Sequence, residues 1–502
     1  MLRWLRDLPL FVALLALGIA AMYIPMAYAV RLEDWLVART LFYHTTFLLI
    51  IVTLVGIAVS GRPVRNTART YLVTVFGAFI LIPAALALPV DYLMEDISFL
   101  QAYFEMLSCF TTTGATLFAD PEVVPAPLHL LRAITGWFGG FFMLVIALSI
   151  FAPLQIGGFE IFNAARGTSK STTQIASADG RDRLRRYSAQ IFPAYLGVTA
   201  LLSLGLLVSG DRMLVAVTHA MAILSTSGIS PVGGLGGTQS GYLGEAFMLV
   251  FFVFAMSRHT FVRDADGAAW RALKDDKELN LALIAVLVIP ALLFMRHFSA
   301  AYDPSTLETT GNAWSALWGG VFTVASFLTT TGFESQAWGG ARDWSGLGTT
   351  GLILMGLAVM GGGIATTAGG IKLLRIYALY KHGQREVTRL SHPNSVAGQS
   401  LRVRLIRREG AQVAWVFFML FVVSIAATAL ALSLTGMNFT DSFVFAIAGL
   451  STTGPLVPAA GTGFIDYGSI SDTAKGIFCI AMVLGRLETL AVIAVLNPNY
   501  WR

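Results

Sequence analysis

Four tracts of this chain set hydroxyl side chains directly before a glycine. They are Thr111-Thr112-Thr113-Gly114, Ser225-Thr226-Ser227-Gly228, Thr329-Thr330-Thr331-Gly332 and Ser451-Thr452-Thr453-Gly454. Hydroxyl and carbonyl oxygens are neutral donors, and rings of such oxygens can replace the hydration shell of K⁺. No carboxylate stands in any tract, which disfavours a hard divalent ion, since those recruit Asp or Glu. The glycine permits the left-handed φ that turns successive carbonyls the same way. The candidate ligands for a monovalent cation are therefore Thr112, Thr113 and Gly114; Thr226, Ser227 and Gly228; Thr330, Thr331 and Gly332; and Thr452, Thr453 and Gly454. One such tract alone reads as a turn or a helix-cap signal. Four at near-equal intervals read as an internal repeat.

Each tract follows a short apolar or aromatic stretch: Phe99 to Phe110, Met213 to Leu224, Ala313 to Leu328 and Asp441 to Leu450. A segment of ~10–14 apolar residues is too short to span a bilayer and reads as re-entrant. Non-helical backbone at membrane depth must be buried in protein or line a water-filled cavity. Each short helix then aims its partially negative C-terminal end at the membrane centre, and four such ends around one axis favour a cation there. Each turn keeps one glycine and lacks a Gly-Tyr-Gly ending, so weaker discrimination among K⁺, Rb⁺ and Na⁺ is expected.

These turns need a membrane scaffold, and the composition supplies one. Of 502 residues, 56% are hydrophobic and 13% charged, with mean hydropathy +0.70. Soluble proteins carry about 25% charged residues, so a water-soluble enzyme of ordinary type is excluded. The apolar runs predict ten spans, near 8–30, 40–60, 70–90, 131–153, 188–209, 243–262, 279–297, 345–379, 411–435 and 474–496. The first is longer than the ~7–15 residues of a signal-peptide apolar region and reads as a retained span. Basic residues collect in alternate connections, among them Arg62, Arg65, Arg183, Arg186, Arg271, Lys381, Arg402 and Arg408; the others hold Asp91, Glu95, Asp120, Glu122, Glu308 and Glu334. Positive charge marks the cytoplasmic side, which places both termini there and explains the net charge of +5 without nucleic acid. Cys109 and Cys479 show no metal-ligand spacing or disulfide framework. No nucleophile–base pair, metal cluster or cofactor motif appears.

The four turns, together with Gly361-Gly362-Gly363-Ile364-Ala365-Thr366-Thr367-Ala368-Gly369-Gly370-Ile371-Lys372 and Gly485-Arg486-Leu487-Glu488, closely resemble the TrkH/TrkG/KtrB superfamily of potassium transporters over nearly the whole chain. Two extra N-terminal spans are similar to its TrkH branch. Ser227 and Ile229 depart from the family pattern, which commonly has Thr or Gly before the second glycine and an aromatic after it. The resemblance implies an all-α membrane protein of four pseudo-symmetric helix–pore loop–helix repeats around one pore, plus two N-terminal transmembrane helices. The corresponding units are residues 1–68 for the N-terminal pair, then 69–165, 166–270, 271–400 with a broken second helix, and 401–502. It further implies K⁺ as the permeating ion with no organic cofactor, residence in a bacterial inner membrane, a homodimer, and a cytoplasmic nucleotide-binding ring of the TrkA type.

Two features lie apart from the turns. Gly361, Gly362, Gly363, Gly369 and Gly370 interrupt the eighth apolar run, and glycine weakens a helix by about 1 kcal/mol per residue relative to Ala. Close helix packing through small residues is one reading. The other, which the resemblance implies, is an unwound intramembrane loop that gates below the turns, including Thr366 and Thr367. A nucleotide P-loop is excluded by spacing. Arg486 lies within the last span, where charge is expensive and usually functional. It is read as a structural pair with Glu105 or Glu488 or a snorkelling cation, or, by the resemblance, as a charge projecting into the pore below the turns. A secondary transporter with alternating access is the rival class, since broken helices suit it. Its repeats are usually two and often inverted, whereas these four share one orientation.

Overall fold

A computed structural model of the chain describes residues 10–59, 68–152, 180–257, 276–300, 310–391, 401–460 and 466–487. Among these residues the structure is all helical, with no strand. Seven helices are long and apolar enough to cross a membrane: Leu10–Arg31, Trp35–Val59, Thr70–Leu93, Ala126–Phe151, Asp182–Val208, Lys277–Arg296 and Ala411–Ser433. The remaining three expected spans are shorter. The sixth is Gly241–Met256, and the last is described only as Asp472–Leu487. The eighth is broken into Thr350–Met360 and Leu373–Ser391. Gly361 in the left-handed region ends the first piece, and Gly370 and Lys372, also left-handed, lead into the second.

Four short helices stand between the longer ones: α1 (Phe99–Phe110), α2 (Met213–Ser225), α3 (Thr310–Leu328) and α4 (Phe439–Leu450). The start of α1 is fixed by a capping box, in which Ser98 Oγ accepts from the Gln101 N–H and Gln101 Oε1 accepts from the Ser98 N–H. Two of the orphan donors at this end are thereby satisfied.

One arrangement of packing recurs four times. Each short helix packs on the long helix before it: Ala68–Leu93 on α1, Gly180–Val208 on α2, Lys277–Ala300 on α3 and Leu401–Ser433 on α4. Each also packs on the helix after it, namely Ala126–Ile146, Gly241–Phe251, Thr350–Met360 and Asp472–Leu487. That following helix then reaches the next short helix: Ala126–Ile146 touches α2, Gly241–Phe251 touches α3, Thr350–Met360 touches α4, and Asp472–Leu487 returns to α1. The circuit closes. The glycines of Ala126–Ile146 make one junction tight, since a Cβ on Gly140 would lie 2.8 Å from Ser225 Cβ and one on Gly136 2.8 Å from Ile229.

Candidate functional site

The hydroxyl-rich turns are the C-terminal caps of the four short helices, and all four share one hydrogen-bond pattern. In the first, the Thr112 N–H donates to the Cys109 carbonyl (2.9 Å) and the Thr113 N–H to the Ser108 carbonyl (2.8 Å). The pairs Thr226 to Ile223 and Ser227 to Ala222, Thr330 to Phe327 and Thr331 to Ser326, and Thr452 to Gly449 and Thr453 to Ala448 repeat it. This is a Schellman cap, which needs its first residue beyond the cap in the left-handed region, a place usually held by glycine. Here it is a threonine every time: Thr112 (φ 55°), Thr226 (53°), Thr330 (58°) and Thr452 (53°). Positive φ in a β-branched residue is a true outlier. Strain of this kind, about 1–3 kcal/mol per residue, persists where surrounding structure enforces it and clusters at functional sites.

The first and third hydroxyls of every tract face each other. Thr111 Oγ1 lies 2.8 Å from Thr113 Oγ1, Ser225 Oγ 3.0 Å from Ser227 Oγ, Thr329 Oγ1 3.0 Å from Thr331 Oγ1, and Ser451 Oγ 3.2 Å from Thr453 Oγ1. The first hydroxyl also donates to the carbonyl four residues back, at Leu107, Met221, Ala325 and Ile447. The third hydroxyls are thus consumed locally, Thr226 Oγ1 donates to the Ser225 carbonyl (2.7 Å) and Thr330 Oγ1 accepts from the Gly369 N–H (2.8 Å), so the oxygens left to face a guest are backbone carbonyls and the Thr112 and Thr452 hydroxyls. Thr112 Oγ1 and Thr452 Oγ1 are buried with no hydrogen-bond partner among the described residues.

The turns meet one another in order. A Cβ added to Gly114 would fall on the Ser227 carbonyl oxygen, and one on Gly228 would fall on that of Thr331. The Gly454 N–H donates to the Thr113 carbonyl (2.6 Å). The remaining junction differs, because Gly332 meets the ring of Pro455 instead of a carbonyl. All the predicted ligand residues therefore come together in one closed ring. Gly114, Gly228 and Gly332 have positive φ as the turn chemistry predicts, whereas Gly454 lies outside the left-handed region.

Behind each turn, a side chain nine residues ahead of the glycine braces the outgoing segment, and each brace is chemically different. Glu105 accepts from the Leu117 N–H (3.0 Å) and pairs with Arg132 at 2.7 Å, with both groups buried. Arg132 also donates to Thr116 Oγ1 (2.9 Å). His219 Nε2 lies 2.9 Å from Ser230 Oγ. Thr323 Oγ1 accepts from the Ser335 N–H (3.2 Å), and Glu245 takes hydrogen bonds from Ser335 Oγ, the Gln336 N–H and Trp318 Nε1, each at 2.7 Å. In the fourth, Phe445 meets Tyr467 edge-on, and the Tyr467 hydroxyl donates to the Gly454 carbonyl (2.7 Å). Sequence reasoning missed Arg132, Glu245 and Tyr467; the intramembrane charges Arg132 and Glu245 were a signal, since charge there is usually functional.

The glycine-rich break lies directly against this ring. The Gly369 N–H donates to Thr330 Oγ1 (2.8 Å), and Thr367 Oγ1 donates to the Leu224 carbonyl (3.1 Å) at the end of α2. A Cβ on Gly369 would strike the Ser451 carbonyl. The break is itself an ordered element. The Gly363 N–H donates to Ala255 O (3.0 Å), the Ile364 N–H to Glu278 Oε1 (2.9 Å) and the Leu373 N–H to Gly362 O (3.0 Å). Thr366 Oγ1 donates to the Gly363 carbonyl, and Lys372 Nζ reaches the Ala368 carbonyl. Gly361 and Gly370 face each other, for a Cβ on either would be 2.9 Å or less from the other's Cα. Arg486 is buried, and its Nη1 donates to the Thr367 carbonyl (2.6 Å). The expected pairing of Arg486 with Glu105 is not formed, because Glu105 is taken by Arg132; Glu488 lies outside the described residues. Among the described residues no cluster of His, Cys, Asp or Glu could hold a metal ion.

The model of the family described as TrkH, cation transport protein, matches residues 279–501. The Trk system potassium uptake protein TrkI of Halomonas elongata is 27% identical over 95% of this chain and 90% of its own length. The Trk system potassium uptake protein TrkH of Vibrio parahaemolyticus is 26% identical over 81% of this chain and 80% of its own. TrkG of Escherichia coli, also a Trk system potassium uptake protein, is 26% identical over 88% and 87%. In three dimensions the chain is similar to the crystal structure of the potassium transporter TrkH from Vibrio parahaemolyticus, with a TM-score of 0.80, 23% identity and 98% of both chains covered. That likeness shows the fold.

Proposed function

The chain belongs to the TrkH-like branch of the Trk potassium transporters, and from that premise we propose that it takes up K⁺ through the ring of four turns. It is a multi-pass membrane transport protein of a non-enzymatic family. The observation that carries the proposal is the ring itself, four identical strained caps that meet in order with their third hydroxyls turned aside. Backbone carbonyls supported by four negative helix ends suit a monovalent cation. The glycine-rich break, hydrogen-bonded to Thr330 and held by Arg486, is the gate in this reading. The organisation is an N-terminal pair at 1–68 and pore units at 69–165, 166–270, 271–400 and 401–502. Both termini face the cytoplasm of a bacterial inner membrane. The assembly is a homodimer on a cytoplasmic nucleotide-binding ring of the TrkA type, docked through the basic connections.

The test is Rb⁺ flux into proteoliposomes, competed by K⁺, Na⁺ and Li⁺, with and without an imposed pH or Na⁺ gradient. K⁺ should compete strongly, Na⁺ and Li⁺ weakly, and neither gradient should be required. Gly114→Ser, Gly228→Ser and Gly332→Ser each add a Cβ against a neighbouring turn at a left-handed position, and each should erode the preference for K⁺. Wild-type selectivity in all three would sink the filter assignment.

A further inference from the structure

The fourth turn differs from the others in four respects. Gly454 lies outside the left-handed region that Gly114, Gly228 and Gly332 adopt. Its N–H donates across the ring to the Thr113 carbonyl, whereas the Gly114 and Gly332 N–H groups point back to Ser108 O (3.4 Å) and Ser326 O (3.3 Å) of their own helices. In a trans peptide the N–H and the preceding C=O point in opposite directions. Thr113 and Thr331 therefore aim their carbonyls away from their helix ends, and the peptide joining Thr453 to Gly454 is turned differently. At the junction where Gly332 should meet the Thr453 carbonyl, it meets the Pro455 ring at 2.9 Å. Finally, the Gly454 carbonyl is taken by the buried Tyr467 hydroxyl.

The sequence supplies a cause. Pro455 follows Gly454, while Ala115, Ile229 and Phe333 follow the other three. A proline ring pushes the preceding residue toward extended backbone. Tyr467 then holds the result, with its ring set among Phe104, Phe445 and Phe478 at centroid distances of 5.8, 5.1 and 5.3 Å. The fourth quadrant thus offers an N–H where a cation needs an oxygen, and that N–H occupies a carbonyl of the first quadrant as well.

We propose that the fourth turn is the adjustable quadrant of the filter, and that Tyr467 is a positioning residue which keeps the Gly454 carbonyl, and so the whole turn, out of the ion-binding arrangement. Release of that hydrogen bond lets the turn rotate, frees the Thr113 carbonyl and completes the set of oxygens the ring presents, which tightens K⁺ binding relative to Na⁺. The inference rests on the reading of the ring as the K⁺ filter.

Tyr467→Phe keeps the aromatic packing and removes only the hydroxyl. In the Rb⁺ flux assay the half-saturating concentration should fall about five-fold, the equivalent of one net hydrogen bond, and Na⁺ should compete less well. Pro455→Ala, which leaves Tyr467 intact and lifts the backbone restriction, should move both quantities the same way and covers the case in which Tyr467→Phe does not fold. A half-saturating concentration and Na⁺ competition unchanged or worsened in the folded variants overturns the proposal. Gly114→Ser separates the two levels. If it alters ion competition while Tyr467→Phe and Pro455→Ala do not, the filter reading stands and the adjustable quadrant falls. If K⁺ fails to compete for wild-type flux, the filter reading itself is at fault.

Discussion

Arg486→Ala is the sharpest test of the contact between the last helix and the glycine-rich break. The guanidinium is buried and donates from Nη1 to the Thr367 carbonyl at 2.6 Å. Thr367 is itself tied to the ring through its hydroxyl on the Leu224 carbonyl, so the arginine fastens the break where it meets the end of α2. A hydrogen bond from an ionised donor contributes about 1.5–3 kcal/mol net. Removal of that much from one side of a two-state equilibrium shifts it by roughly 10–150-fold. If the break occludes the pathway when fastened, Rb⁺ flux per reconstituted molecule should rise by at least 10-fold, on the order set by that bond, up to the limit at which the break is always open. Arg486→Gln keeps a neutral donor and should give a smaller rise. Both variants are compared at equal protein-to-lipid ratio, with K⁺ competition confirming the pathway. Flux at or below wild type in Arg486→Ala refutes the fastening role.

Two further outcomes follow from the braces and from the segment that leaves the third turn. Glu105→Gln leaves Arg132 buried without its carboxylate, and breaking a buried pair from one side costs about 3–5 kcal/mol. Thermal unfolding in detergent should show a clear loss for the single change and a smaller one for Glu105→Met with Arg132→Met, while equal stability of all three with wild type removes the pair as a brace. Burial raises the pKa of Glu334, opposed by Arg342, so as the pH falls this carboxyl takes up its proton earlier than an ordinary glutamate. Burial of its charge costs stability at neutral pH, and that cost disappears on acidification. With Glu334 two residues beyond the glycine of the third turn, cation uptake should decline on the acid side in wild type and stay flat in Glu334→Gln. An unchanged pH profile in the variant rules out Glu334 as the titrating group.

Much of the scaffold was legible because membrane insertion leaves a local signature. The ends of α1 and α2 could be read to within a residue or so, since an apolar run that stops at a hydroxyl-rich turn has few alternatives. The broken eighth run was visible in its glycines. The Schellman caps were not, because a glycine was available two residues later and chemistry assigns the left-handed position to glycine before threonine. The strain falls instead on Thr112, Thr226, Thr330 and Thr452. The pairing of Arg486 with Glu105, one of the readings the sequence left open, fails for a related reason. Sequence shows which charges lie at membrane depth but not which neighbour claims them, and Arg132, closer in the chain, claims Glu105. Glu245 reaches Gln336 and Tyr467 reaches Gly454 across loops that carry no periodic pattern.

The four braces bear on how such a ring can change over time. In a filter assembled from four identical chains, any inherited substitution strikes every quadrant at once, and an advantageous change at one position is burdened by the same change at three others. Here the four turns belong to one polypeptide, and an acid–base pair, an imidazole, a threonine and a phenylalanine that packs on Tyr467 already stand at equivalent places. A mutation can therefore sample a quarter of the ring while the other three quarters keep the organism supplied. Lineages of this architecture should diverge fastest in whichever brace is least shared with its neighbours, and the fourth, whose Tyr467 also packs on Phe104 of α1, has little such freedom to drift.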